Sequence, residues 1–200
     1  MDTSPRNRRH DLTKQKILDT ARQILLTDGA QAISMRTLAD RVDYSPAALY
    51  KYFANKEEII AALRQEAWEL MAAHPTDVSP GMSLPEIFVQ SGRGYIDFAT
   101  KYPEYYMLIM STSEGGPNSL EEFKQTPNFI GLLQFVESVV AAEAFQLPPG
   151  YTPMHLALLS WFTVHGISLL KLTVMNKCPD EFEAASIEVL NMVKEVFTKK

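Results

Sequence analysis

Cysteine is nearly absent from this chain: Cys178 is the only one among its 200 residues. A single thiol cannot form a disulfide within the chain, so the fold must rest on a packed apolar core, as is usual in a reducing compartment. A thiol that senses oxidants is one interpretation of Cys178. A buried or inert side chain is the more frequent case for a solitary cysteine.

Catalytic and nucleotide-binding motifs are also missing. Gly92-Arg-Gly94 lacks the third glycine of a phosphate loop, and no strand pattern precedes it. The sequence has no nucleophile elbow, no Glu-x-x-His pair and no Cys/His cluster. His155 and His165 are ten residues apart, which on a helix turns them roughly 80° from each other and disfavours a shared metal ion. We therefore expect no enzyme activity, no cofactor and no metal site.

We expect no secretory signal in the first residues and no membrane-spanning segment in the longest charge-free stretch. The first ten residues have no apolar run after their charges. The longest charge-free stretch, residues 144–170, is interrupted by Pro148-Pro149-Gly150. Its unbroken part, 153–170, includes Ser160, Thr163 and two histidines, so we expect it to be buried in protein rather than in lipid. The chain is predicted to be cytoplasmic.

Charge is distributed unevenly along the sequence. Residues 1–56 hold ten Lys and Arg against six Asp and Glu, a net charge of +4. Residues 57–200 hold nine against eighteen, a net charge of −9. A basic N-terminal part on an acidic body is typical of a protein whose one end faces nucleic acid, although an ordinary solvated surface gives the same balance.

Residues 34–53 carry the most informative pattern, two short helices joined by a tight turn. Ser34 is a natural N-cap, and Leu38, Ala39 and Val42 recur at helical spacing. Asp43-Tyr44 interrupts that spacing, and Asp tolerates the left-handed backbone that ends a helix.

The second helix of this pair is predicted over residues 47–52. Ser45 caps it and Pro46 takes the first helical position, where a missing N–H costs nothing. Leu49 and Phe53 face inward, which leaves small and phenolic side chains outside to enter a DNA major groove. A helical hairpin that merely packs is the alternative to this helix-turn-helix at about residues 35–53.

The segment 12–63 resembles the DNA-binding domain of the TetR family of bacterial transcriptional regulators. The matching residues include Ile17, Leu18, Ala21, Arg22, Gly29, Ala39, Val42, Ser45, Leu49, Tyr50, Phe53, Lys56 and Glu57. Asp43 and Ala47 depart from the resemblance, because the family often has glycine at these two positions. Both residues are small or tolerant of turns, so we expect an intact turn.

The resemblance and the exposed side chains together indicate the DNA-contacting residues. These candidates are Arg36, Thr37, Ser45, Pro46, Ala47, Ala48, Tyr50, Lys51, Tyr52 and Lys56. The resemblance implies phosphate contacts for Tyr50 and Tyr52, and alanine methyls suit thymine methyls. A basic arm, residues 1–10, with Arg6, Arg8, Arg9 and the nearby Lys14, either reaches the minor groove or is a solubilising tail.

The remaining sequence predicts an all-α protein of nine or ten helices. Pro75 to Gly81 is the one clear linker, and capping residues or prolines mark the start of each later helix. One loop is predicted at residues 114–118, after a helix that ends near Ser113. We expect an N-terminal three-helix DNA-binding domain, residues 1–56, and a larger helical domain for ligand binding and dimerisation, residues 57–200.

Aromatic and methionine side chains of the larger domain suggest an effector site. Trp161 and His165 share a helical face next to Gly166, similar to a Trp…His-Gly pattern in the ligand domains of some TetR-type regulators. A hydrogen-bonded core histidine is the alternative interpretation. The candidate ligand-binding residues are Tyr95, Phe98, Tyr102, Tyr106, Met110, Trp161 and His165. Rings and Met with few charges predict a hydrophobic or aromatic effector.

The resemblance implies a transcriptional regulator, with repressor function, a palindromic operator on double-stranded DNA and a homodimer through the last two helices. Apolar stripes predict the dimer contacts as Leu158, Phe162, Leu169 and Leu172 on one helix and Leu190, Val193 and Phe197 on the other. A small all-α enzyme and a ligand-independent DNA-binding module are the alternatives. The length of the part after the linker favours a sensing domain over the second of these.

Overall fold

The computed structural model describes residues 4–111 and 117–198. Within these ranges the chain forms ten α-helices and one 3₁₀ turn, Ala30–Ala32, and it contains no strand. The helices are α1 (Pro5–Asp28), α2 (Met35–Val42), α3 (Pro46–Leu49), α4 (Lys56–Ala72), α5 (Leu84–Lys101), α6 (Pro103–Met110), α7 (Leu120–Lys124), α8 (Pro127–Ala141), α9 (Pro153–Leu172) and α10 (Pro179–Phe197). The predicted all-α fold is confirmed. The predicted helix end at Ser113 and most of the predicted 114–118 loop lie outside the described residues.

The helices fall into two compact units. The first unit contains α1–α4 together with α6, and its core is made by side chains of α1, α2, α3 and α4, among them Ile17, Leu38, Leu49, Ile59 and Leu63. All five are fully buried. Burial of each such side chain contributes about 1.5–3 kcal/mol relative to exposure.

The second unit contains α5 and α7–α10. One of its apolar clusters joins α5, α8, α9 and α10 through Phe88, Phe129, Leu156 and Val193. Antiparallel backbone contact between Phe145 and Thr198 closes the end of this unit, with the amide of Gln146 donating to the Phe197 carbonyl at 2.7 Å.

Most helices begin where the sequence predicted. Asn55 caps α4 by accepting a hydrogen bond from the Glu58 amide at 2.9 Å. Thr152 and His155 form a reciprocal capping box at the start of α9. Proline occupies the first turn of α6, α8, α9 and α10, because its fixed φ suits that turn and its missing N–H is not needed there.

Helix α1 is longer than the sequence indicated. It begins at Pro5 rather than Leu12, because the Ser4 hydroxyl accepts a hydrogen bond from the Asn7 amide at 3.3 Å and Pro5 takes the first helical position. The predicted flexible arm at residues 1–10 is therefore helical from Pro5 onward. Its first three residues lie outside the described part of the chain.

Helix α9 is long and apolar enough to cross a membrane by length and composition, and 28% of its most apolar window is buried within the chain. The expectation that this helix is buried in protein rather than in lipid stays a prediction, because its exposed part includes residues predicted to contact a second copy. Phe162 is 61% exposed and Leu169 is 47% exposed, while Leu158 and Leu172 are partly buried.

The dimer contacts predicted on α10, Leu190, Val193 and Phe197, pack inside the second unit instead of lying on its surface. Leu190 and Val193 are each 6% exposed, since both pack inside the second unit, and Phe197 is partly buried. The exposed apolar side chains of α10 are instead Val189, Met192 and Val196. These follow i, i+3, i+7 spacing and form one stripe.

Candidate nucleic-acid interface and small-molecule site

The turn between α2 and α3 has the geometry that its sequence predicts. Ser34 caps α2 by accepting a hydrogen bond from the Thr37 amide at 3.0 Å. Asp43 ends the helix with φ 61° and ψ 41°, the left-handed conformation, and the Tyr44 amide donates to the Ala39 carbonyl at 3.0 Å. Asp at this position replaces a more permissive glycine at a modest cost.

Helix α3 is shorter than predicted. Its α-helical part ends at Leu49, and hydrogen bonds from the Tyr52 amide to the Leu49 carbonyl at 2.9 Å continue it as a tight turn. Ser45 caps the helix through the Ala48 amide at 3.3 Å. A turn with hydrogen bonds between residues three apart has fewer residues per turn than an α-helix. The side chains after Leu49 therefore point in directions that differ from those of a continued α-helix.

The candidate DNA-contacting side chains of α3 and its surroundings are all at least partly accessible in the first unit. Ser45, Pro46, Ala47 and Lys51 are exposed, Ala48 and Tyr52 are partly buried, and Tyr50 is 56% exposed. On the neighbouring helices Arg36 is exposed, whereas Thr37 and Lys56 are partly buried. Leu49 and Phe53 face the core as predicted, at 0% and 2% exposure.

Helix α1 packs beside this surface through residues that the sequence interpretation missed. His10 Nε2 hydrogen-bonds to the Lys51 carbonyl at 3.3 Å, and the His10 and Tyr52 rings lie 4.9 Å apart. Tyr52 also meets Tyr44, which is 39% exposed, edge-on at 6.5 Å. No sequence signal marks His10, because the contact joins residues 41 positions apart. Tyr44, an exposed aromatic ring in the turn, was a signal that could have been used.

Lys14 of α1 contacts Phe53, which follows α3, and Glu58 at the start of α4. Its ammonium is 4.9 Å from the centre of the Phe53 ring and 4.0 Å from the Glu58 carboxylate. Arg6, Arg8 and Arg9 are exposed on the preceding turns of α1. The basic residues of the predicted arm therefore lie on helix α1, and Lys14 packs against side chains of the first unit.

A hydrogen-bonded clasp joins α1, α4 and α6 in the first unit. Arg22 donates to both oxygens of Glu66, at 2.6 and 2.8 Å, and to Asp19 at 2.7 Å. Tyr105 donates its hydroxyl proton to Glu66 at 2.7 Å. The Arg22 hydrogen bonds lower the pKa of Glu66, and burial together with the Glu66 contact raises the pKa of Tyr105 to about 12.

The second unit brings three of the ligand-binding candidates together. His165 Nδ1 is 2.8 Å from the carbonyl of Trp161, and a carbonyl can only accept, so Nδ1 carries the proton. His165 Nε2 then accepts a hydrogen bond from the Tyr95 hydroxyl at 2.8 Å. Burial lowers the pKa of His165, opposed by the Trp161 carbonyl, so the ring is neutral near pH 7.

Aromatic rings surround this hydrogen-bonded pair. Trp161 stacks on His165 with ring centres 4.3 Å apart, and it meets Phe123 and Phe129 edge-on at 5.2 and 5.8 Å. Tyr95, Trp161 and His165 are all partly buried, so each keeps some accessible surface. The arrangement offers stacking surfaces and a hydroxyl oxygen, which suits an apolar molecule with few polar groups.

The other ligand-binding candidates lie elsewhere. Phe98 is fully buried in the second unit, where its ring meets His74 at 5.7 Å. Tyr102, Tyr106 and Met110 belong to the first unit. Tyr106 is 1% exposed, and Tyr102 and Met110 are partly buried. The described residues contain no group of three or more His, Cys, Asp or Glu side chains able to hold a metal ion.

Two protein-family models match the chain. The model described as "Bacterial regulatory proteins, tetR family" matches residues 17–63, and the model described as "Tetracyclin repressor-like, C-terminal domain" matches residues 88–196. Together they span both the helix-turn-helix and the helices of the second unit. No curated protein sequence matches the chain.

Solved structures with the same fold cover nearly the whole chain. A bacterial regulatory protein in the TetR family from Rhodococcus RHA1 is 17% identical with a TM-score of 0.65, covering 94% of this chain and 98% of that one. A TetR-family transcriptional regulator from Haemophilus influenzae is 19% identical with a TM-score of 0.61, covering 93% and 96%. A TetR variant from Acinetobacter baumannii in complex with minocycline is 17% identical with a TM-score of 0.59, covering 90% and 92%. At these identities the likeness concerns the fold.

Proposed function

Because this chain belongs to the TetR family of bacterial regulatory proteins, we propose that this transcriptional regulator is a repressor which a small hydrophobic effector releases from its operator. Regulators of this family are not enzymes. The observation that carries the proposal is the exposed α2–turn–α3 surface, in which two serine caps and a left-handed Asp43 position the reading residues. Such a regulator acts where the bacterial DNA is, in the cytoplasm.

We assign DNA reading to residues 1–56 and effector binding with dimerisation to residues 57–200. The matched ranges, 17–63 and 88–196, support a division of labour of this kind. Lys51 and the exposed alanine of α3, Ala47, would enter the major groove, and Tyr50 would donate to a phosphate. Arg36, Tyr52 and Lys56 would contact phosphates, since phenol and cation donors fix register on the backbone without reading sequence.

The effector is proposed to bind beside Tyr95, Trp161 and His165. The neutral His165 ring uses both nitrogens inside the protein, so within this pair we assign contact with a polar group of the ligand to the Tyr95 hydroxyl oxygen, which can accept a hydrogen bond. One acceptor among aromatic rings favours an aromatic or hydrophobic molecule with a single donor group. The similar TetR variant from Acinetobacter baumannii is in complex with minocycline, which supports a small-molecule effector that contains rings but not its polarity.

The operator is proposed to be palindromic because the protein would bind it as a twofold dimer. Exposed apolar side chains on α9 (Phe162, Leu169) and α10 (Val189, Met192, Val196) offer surface that a second copy of the chain could cover. Pairing each stripe with its twofold copy would bury both in a four-helix arrangement.

The effector would release the protein from DNA by changing the separation of the two α3 helices in the dimer. Successive major grooves on one face of DNA are about 34–36 Å apart, so two reading helices held at another separation bind poorly. An effector that prefers the mismatched arrangement by about 2–3 kcal/mol would weaken DNA binding roughly thirty- to a hundred-fold. Linkage requires that operator DNA weaken effector binding by the same factor.

Selection of operator sequences from random DNA, followed by effector screening, tests this function. The purified protein should enrich one palindrome, with affinity that falls steeply as salt rises. Aromatic compounds that raise its melting temperature should release it from that palindrome. A protein that coats DNA without sequence preference would contradict the regulator-operator assignment, and stabilising compounds that never change operator affinity would contradict effector control.

A further inference from the structure

A cleft of about 280 Å³ with both polar and apolar lining opens in the second unit between α5, α10, the end of α9 and the segment 75–77. Gly94 of α5 lines the cleft next to Thr76. A Cβ at position 94 would lie only 2.7 Å from Cγ2 of Thr76. The linker can therefore lie directly against α5 only where α5 has no side chain.

Arg93 of α5 lines the cleft, and one of its hydrogen-bond donors is unsatisfied within the described part of the chain. Its Nε atom is buried and has no hydrogen-bond partner among the described residues. A buried donor without an acceptor costs roughly 1–3 kcal/mol, more when the group is charged. An acceptor supplied by a bound molecule would remove that cost.

Two of the three carboxylates that line the cleft are engaged by other side chains. Asp97 accepts a hydrogen bond from His74 at 2.8 Å, and Glu183 pairs with Lys171 at 2.6 Å. The third acidic residue of the lining, Asp77, is exposed on the linker. Arg93 thus lines the cleft while two of its three acidic side chains are engaged by other residues, Glu183 by Lys171, which also lines the cleft.

The rest of the lining limits what anion would fit. Ile96, Ile187 and Leu190 give the cleft an apolar side, which suits a hydrocarbon or aromatic body. The three carboxylates of the lining repel a multiply charged anion such as phosphate. A single carboxylate matches the planar fork of one guanidinium with two parallel hydrogen bonds.

This cleft is separate from the proposed effector site. At about 100° per residue, Gln90, Arg93 and Asp97 share one face of α5. Tyr95, two residues from Arg93, points roughly 160° away and meets His165 on α9. Helix α5 therefore carries two chemically different surfaces on opposite sides.

We propose that the cleft between α5, α10 and segment 75–77 is a second small-molecule site, which binds a small apolar monocarboxylate through the guanidinium of Arg93. The Arg93 side chain, whose Nε is buried in the free protein, turns toward the cleft on binding, and the ligand carboxylate accepts from Nε and one terminal nitrogen. Its hydrocarbon part covers Ile96, Ile187 and Leu190.

Calorimetric titration of the full chain with hexanoate and benzoate tests the site, with hexanamide and benzamide as neutral counterparts at constant ionic strength. The carboxylates should bind at least tenfold more tightly than the amides. Arg93→Gln should weaken carboxylate binding at least tenfold. Lys177→Gln, which removes one exposed positive charge from the same unit, should leave it unchanged, as should Tyr95→Phe on the opposite side of α5.

Nuclear magnetic resonance of the arginine Nε–H groups gives a readout on the native chain that does not depend on a variant's folding. The resonance missing from Arg93→Lys belongs to Arg93, and it should shift with hexanoate but not with hexanamide. Absence of that shift, equal binding of acid and amide, or carboxylate binding that survives Arg93→Gln in the folded variant would each overturn the proposal. Tighter binding of phosphate than of hexanoate would do the same.

Discussion

Arg22 of α1 and Glu66 of α4 form a two-pronged ion pair, with nitrogen–oxygen distances of 2.6 and 2.8 Å. The hydroxyl of Tyr105 on α6 donates to the same carboxylate, so three helices of the first unit meet at one side chain. Parallel hydrogen bonds of this kind hold geometry better than a single-contact surface pair. These hydrogen bonds tie α6 to the unit that contains the helix-turn-helix.

Loss of the Glu66 charge should lower stability at neutral pH and matter less in acid. The pKa of Glu66 is lowered in the folded chain, so its contribution is present above the ordinary carboxyl pKa and disappears as pH falls through the folded value. Glu66→Gln should cost about 1 kcal/mol at pH 7, a small figure because the side chain is 36% exposed. Urea unfolding at pH 7 and pH 3 measures it.

The matched control for this prediction is Glu69→Gln, an exposed residue of the same helix. It should change the unfolding free energy little at either pH. A Glu66→Gln deficit that stays constant down to pH 3 would show that the carboxylate charge is not what stabilises the clasp.

Removal of single reading residues should weaken DNA binding without loss of fold. Tyr50→Ala and Lys56→Ala should each cost roughly 1–3 kcal/mol of binding free energy on all sequences, because lost phosphate contacts are indifferent to base identity. Ala48→Asp should abolish binding by directing a carboxylate toward the duplex. Gel-shift titration measures the affinities, with Lys177→Ala as a control for lost positive charge. Wild-type affinity in all three variants would refute the proposed reading surface.

Charges in the exposed apolar stripes should separate the proposed dimer. Phe162→Glu combined with Met192→Glu places carboxylates on α9 and α10, at side chains 61% and 55% exposed, and should give folded monomers. Light scattering measures the mass, and Val78→Glu, on an exposed linker residue, should keep the native state. Val193→Glu should instead unfold the second unit, because that side chain is 6% exposed within its core. A wild-type chain that is monomeric at micromolar concentration would remove the basis for this interface.

His165 should make the second unit less stable in mild acid. Its pKa is lowered by burial, so the unfolded chain takes up a proton at higher pH than the folded one. Stability is therefore full above the ordinary histidine pKa of about 6.5 and falls as pH drops below it. His165→Gln should flatten the decline in melting temperature between pH 7 and pH 5. His155→Gln, which keeps a capping side chain at an exposed position, should leave the wild-type slope. Equal slopes in all three proteins would contradict the assignment.

Local chemistry made much of the fold predictable. Capping side chains such as Ser34, Ser45 and Asn55 act on amides three residues away, so their effect can be read without knowing any distant contact. The same locality explains why the turn at Asp43 and the shared face of Trp161 and His165 were predicted correctly. The start of α1 was missed although its signal is local, because Ser4 and Pro5 form the same cap and first-turn pair as Ser45 and Pro46.

The sequence by itself determined the all-α class, the helix starts and the helix-turn-helix, because these depend on interactions between residues a few positions apart. Tertiary structure decided which side of an apolar helix turns inward, since a broad apolar face such as that of α10 is compatible with more than one packing direction. It also decided the partners of polar groups. Tyr95 and His165 meet across 70 positions, and Arg22 and Glu66 across 44. Only the packing of whole helices against each other brings such pairs within hydrogen-bonding distance.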